Sequence, residues 1–121
     1  MSATPTPSSV EVRHEGTRTA ARFTGCDSLN EFNTDAIEQL SRLIEGRTRP
    51  QLDLDLVGIR YLSSSALGKL LALNRKVRAA GGQLVLCNPS PAVVEILTIT
   101  GLHTILEVRR ADARHPEGLS A

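Results

Sequence analysis

Hydrophobic residues recur along this chain with two different periods. Over residues 51–56 the alternation is strict: Leu52, Leu54 and Leu56 point one way, Asp53 and Asp55 the other. That is the pattern of a strand with one face buried and the other only partly covered. From Ser64 or Ser65 to Ala80 the period changes. Leu67, Leu70, Leu71, Leu73 and Val77 return every three or four residues, predicting a helix of about four turns with Lys69, Arg75, Lys76 and Arg78 on its wetter sides. Gly81 and Gly82 are expected to end it in the left-handed conformation, and residues 83–87 form a short apolar strand.

The same reading extends outwards. Residues 10–14 and 17–23 are strands separated by a hairpin signal at Glu15 and Gly16. Residues 24–30 are rich in turn formers, after which Asn33 or Thr34 can cap a helix carrying Ile37, Leu40, Leu43 and Ile44, with Gly46 as its stop. Ser90 is a natural N-cap with Pro91 in the first helical position, and Val93, Val94, Ile96 and Leu97 carry that helix to about Thr100, before Gly101. Residues 105–108 are the last strand. Strands alternating with helices imply right-handed crossovers. The fold expected is α/β, one domain over residues 10–108, with a mixed, mostly parallel sheet of about four to five strands and about three helices. Residues 1–9, small, polar and punctuated by proline, read as a disordered arm, and residues 109–121 as a flexible tail.

Composition narrows the function by exclusion. A chain of 121 residues suits one modest core. Fourteen Lys and Arg against 13 Asp and Glu leave a net charge of +1, which suggests no polyanionic partner. Phe23, Phe32 and Tyr61 are the only aromatic residues, too few for stacking on single-stranded nucleic acid. Cys26 and Cys87 have no metal-ligand spacing and are expected to stay unpaired. No apolar leader or 18-residue apolar run is present, so a cytoplasmic protein without membrane insertion is expected.

Catalytic signatures are also missing. Around Ser64 the sequence is LSSSA, not GxSxG, and neither GxxxxGK[ST] nor GxGxxG occurs. His14, His103 and His115 fall at loop, helix-end and tail positions, and Asp53 with Asp55 lacks a completing acid or metal constellation. No enzyme activity, metal or cofactor is expected. The run Ser63, Ser64, Ser65 at the start of the long helix stands out. A hydroxyl there can accept from free backbone amides, and the same end of the helix dipole favours negative charge. On residue chemistry alone the plainer role is a cap.

Four further features occur together: Asp55 on a strand, the turn SSSALG at residues 63–68, the paired Gly81 and Gly82 before a short apolar strand, and Thr100, Gly101 and Leu102 near the end. In these the chain resembles the STAS domain of bacterial anti-sigma factor antagonists, whose turn reads D-S-[ST]-G-L-G. The resemblance spans about residues 10–108. It implies a partner switch: the unphosphorylated protein binds an anti-sigma factor that is also a serine kinase, phosphorylation of the turn serine breaks the complex, and a PP2C-type phosphatase restores it. The phosphorylated position matches Ser64, with Ser63 and Ser65 as alternatives. The implied contact surface is Asp27, Asp55, Ser63, Ser64, Ser65, Ala66 and Lys69. Two departures stand out, Ser63 in place of the usual Asp and Ala66 in place of the usual Gly. The departure at Ser63 keeps a second function open, a non-phosphorylated accessory or scaffold subunit of a transporter or signalling assembly. The resemblance leaves the oligomeric state open.

Overall fold

A computed structural model describes residues 9–109. The expected arm and tail, with His115, lie outside the described residues apart from Ser9 and Arg109, which are the outer ends of the first and last strands. β1 (Ser9–Glu15) and β2 (Arg18–Thr24) form an antiparallel hairpin turned by Gly16 and Thr17. Gly16 adopts φ +65°, the left-handed region in which a side chain is strained. The chain continues through β3 (Ser28–Leu29), α1 (Asp35–Leu43), β4 (Gln51–Asp55), β5 (Tyr61–Leu62), α2 (Ser64–Ala79), β6 (Gln83–Cys87), α3 (Pro91–Ile99), a single 3-10 turn (Leu102–Thr104) and β7 (Glu107–Arg109).

Five strands form one sheet in the order β1-β2-β4-β6-β7, parallel except for the first pair, and β3 with β5 forms a separate two-stranded parallel ladder. Each parallel crossover steps in the same direction across the sheet, and right-handed crossovers taken one way set their helices on one face. That face is the core. Ala21 and Phe23 of β2, Leu52 and Leu54 of β4, and Leu84 and Leu86 of β6 meet Ile37 and Leu40 of α1, Leu70, Leu73 and Val77 of α2, and Val93 and Leu97 of α3 in one buried cluster. The opposite face carries the charged half of the alternation. There Arg18 Nη1 bonds both oxygens of Asp53 at 3.1 and 3.2 Å, and Arg22 reaches Glu11 at 3.5 Å.

Several local expectations change. The last strand begins at Glu107, because residues 102–104 coil into the 3-10 turn after Gly101 at φ +77°. Gly81 ends α2 at φ +81° as expected, whereas Gly82 is outside the left-handed region. Its constraint is space: a Cβ there would stand 1.9 Å from the Pro50 carbonyl oxygen. Thr34 occupies the N-cap of α1 in a helical conformation without a side-chain bond, and Asn33 is engaged in the preceding loop. Ser90 caps α3 as expected, accepting from Val93 N at 3.2 Å, with Pro91 opening the helix. Both cysteines are free and half-buried, and burial, with the Asp53 charge behind it, pushes the Cys87 thiol up.

Candidate functional site

The start of α2 is held by the small second ladder. Ser28 aligns with Tyr61 and Leu29 with Leu62, while Arg60 N donates to Asp27 O at 2.6 Å and Ser63 N to Leu29 O at 2.9 Å. The segment after β2 is thereby fixed beside the helix terminus.

The three serines separate by role. Ser63 is only 9% exposed and extended, with φ −78° and ψ 169°. Its Oγ accepts from Ala66 N at 3.2 Å and its carbonyl from Leu67 N at 2.9 Å. With its own amide committed to Leu29, the amide, the carbonyl and the hydroxyl oxygen of Ser63 each hold a bond. Ser64 and Ser65 are exposed in the first turn of α2, and among the described residues neither hydroxyl has a hydrogen-bond partner. That turn contains no acidic side chain. The positive end of the helix dipole is thus left without a carboxylate next to two available hydroxyls.

The other expected contact residues are dispersed. Asp27 is exposed beside Arg60. Asp55 lies at the carboxyl end of β4, where its Oδ1 accepts from Val57 N at 3.0 Å and from Asn88 Nδ2 at 3.2 Å. Ala66 is fully buried, so it offers its backbone amide to the cap and its methyl to the core. Lys69 points across to α1 and pairs with Glu38. Asp53, which the alternation set beside Asp55, is bound by Arg18, so the two carboxylates serve separate contacts.

Composition gave no sign of the exposed apolar residues on β5 and on the segments that follow β3 and β4. Phe32 is 88% exposed, and Tyr61 and Val57 are also exposed. The Phe32 loop is ordered by asparagines: Phe32 N donates to Asn30 Oδ1 at 2.9 Å, Asn30 N to Asn33 Oδ1 at 2.8 Å, and Asn33 Nδ2 to Ser28 O at 2.8 Å. The signal available in the sequence was the N-E-F-N spacing, since each asparagine can close a turn on its neighbours.

Among the described residues there is no group of three or more His, Cys, Asp or Glu side chains placed to hold a metal ion, and no helix is long and apolar enough to cross a membrane. What the site offers is exposed hydroxyls at the start of α2, with exposed apolar side chains on β5 and on the segments that follow β3 and β4.

The chain is 25% identical over 100 residues to an anti-sigma F factor antagonist of Paenibacillus polymyxa, covering 82% of this chain and 84% of the relative. Its fold matches an anti-sigma-factor antagonist (STAS) domain protein from Planctomyces limnophilus, with a TM-score of 0.78 at 20% identity over 93% of this chain and 99% of that one. It also matches the Bacillus cell fate determinant SpoIIAA in the phosphorylated form, with a TM-score of 0.59 at 19% identity over 90% and 98% of the two chains. The family model for the STAS domain matches residues 28–113, well over half of the sequence, and this chain belongs to the STAS domain family.

Proposed function

We propose that this chain is an anti-sigma factor antagonist, switched off by phosphorylation of Ser64. The observation that carries this reading is the division of labour among the serines. Ser63 holds the cap, which leaves the Ser64 hydroxyl exposed and unbonded among the described residues at the first position of α2. The anti-sigma F factor antagonist from Paenibacillus polymyxa and the phosphorylated SpoIIAA support the class.

The switch acts on the complex and spares the fold. A phosphate brings about 1.5 to 2 negative charges and three acceptor oxygens. At the amino end of α2, with no acidic side chain in the first turn, those charges are favourably placed. Against a docked protein they are not: a dianion pressed into an interface must lose its water without a prepared partner. Phe32, Tyr61 and Val57 supply the apolar contacts, and Asp27 with Ser65 the polar rim. The partners are a cytoplasmic anti-sigma factor with serine kinase activity and a PP2C-type phosphatase, and the chain itself catalyses nothing.

The family's usual Asp before the phosphorylated serine is replaced here by another N-capping residue. Ser and Asp cap with similar strength, so the exchange keeps the helix start and removes one negative charge beside Ser64. Titration of the cognate anti-sigma factor tests the reading. Ser64→Ala binds as wild type does, while Ser64→Asp binds at least about tenfold more weakly, a loss of about 1.4 kcal/mol. Equal affinities for Ser64→Asp and wild type would instead favour the accessory-subunit reading, in which the serines act only at the helix start.

A further inference from the structure

We infer that β1 is a homodimerisation edge, pairing antiparallel with β1 of a second copy about a two-fold axis at Val12. Among the described residues, β1 is an outer strand of the sheet. It is seven residues long, without proline and without a bulge in its register to β2. Residues 11–17 are all exposed. An edge of this length and regularity is a template for another strand unless something blunts it.

The backbone is prepared for it. The two-residue turn at Gly16 and Thr17 closes on the pair Glu15 and Arg18, and such turns close on a hydrogen-bonded pair. Alternation then directs the amides and carbonyls of Glu11, Arg13 and Glu15 towards β2, and those of Val10, Val12 and His14 outwards. Around Val12 the outward groups are symmetric: Val12 faces Val12 of the second copy, and Val10 faces its His14.

The side chains select this register. With the axis at Val12, Glu11 stands opposite the second copy's Arg13, and Arg13 opposite its Glu11. Both pairs fall at non-hydrogen-bonded positions, where side chains approach most closely. Sliding the strands by two residues sets Glu11 against Glu11, or Arg13 against Arg13. Within one chain Glu11 aligns with Arg22, and Arg22 with Asp55. The dimer would extend that row with alternating sign, Asp55, Arg22, Glu11 and then the second copy's Arg13. Among the described residues of the single chain, Arg13 has only the exposed Glu15, at 3.4 Å. The contact is self-complementary, so it closes at two copies instead of propagating.

Charge exchange tests this with the intact chain. In sedimentation equilibrium at up to about 1 mM, a range that registers even a weak contact, the wild type approaches twice the 13.0 kDa of one chain. Arg13→Glu and Glu11→Arg, both at exposed positions, each set like charges opposite one another and weaken self-association by about tenfold or more. Mixed in equal amounts, the two variants are complementary and recover association at the wild-type level. A wild type that stays at the mass of one chain overturns the inference. So does an Arg13→Glu chain that associates as the wild type does, or a mixture that recovers nothing.

Discussion

Ser63 Oγ accepts a hydrogen bond from Ala66 N at 3.2 Å, and this contact decides which serine of the SSS run remains available. Ser63→Ala removes the cap and lowers stability by about 1 kcal/mol, whereas Ser63→Asp, the family's usual residue, stays within a few tenths. Urea denaturation of the two variants checks both values, and equal losses in the two would show that the cap is not what Ser63 contributes.

Gly82, beyond the end of α2, and Gly68, within it, respond oppositely to a methyl group. At Gly82 an added Cβ would lie 1.9 Å from Pro50 O and 2.7 Å from Pro50 N, so backbone must move and Gly82→Ala costs about 3 kcal/mol or more. Gly68 sits inside α2 on its exposed side, with nothing within 4 Å of an added Cβ. Gly68→Ala therefore stabilises by about 0.5 to 1 kcal/mol. Because Gly68 lies one turn beyond Ser64 on the same side of the helix, that substitution also weakens partner binding if the partner approaches the backbone there. Thermal melts and the binding titration separate the two effects.

Lys69 and Glu38 pin α2 to α1 from half-exposed positions. The hydrogen bond from Lys69, with its charge, holds Glu38 below the usual carboxylate range. A carboxylate depressed in the folded state stabilises above its unfolded pKa, and the contribution fades as pH falls through the folded value. Glu38→Gln accordingly loses stability relative to wild type at neutral pH, and the difference closes in acid below the ordinary carboxylate range. Denaturation midpoints measured across pH test the sign. High salt shrinks the difference as well.

Asn74 is 4% exposed in α2, and among the described residues its carboxamide has no hydrogen-bond partner. A buried polar group without a partner costs free energy that an apolar side chain would not. Asn74→Leu is expected to raise stability by about 1 kcal/mol, read as a higher urea midpoint at unchanged slope.

The regular elements were legible because their patterns are local. Leu52, Leu54 and Leu56 alternate, Leu67, Leu70, Leu73 and Val77 recur, and Ser90 with Pro91 announces α3; each is borne out within a residue or two. What escaped the sequence depends on distant neighbours. β3 and β5 are two residues each and exist only because each pairs with the other across more than thirty residues of chain. Gly82 reads as a helix stop until Pro50 is seen against it. Asn74 falls on the apolar face of its helix, four residues after Leu70, and only its polar side chain argued for the surface. At the candidate site, residue types identified the serine run, but only the bond between Ser63 and Ala66 divides it into a cap and two exposed hydroxyls.

Phosphorylation of Ser64 is tested most directly by intact-mass and fragment-mapping mass spectrometry after incubation with the cognate anti-sigma factor kinase and ATP. A single phosphate is expected, carried by Ser64, and none after Ser64→Ala. A phosphate on Ser63, whose hydroxyl oxygen caps α2, or a chain that takes up no phosphate at all, would contradict it.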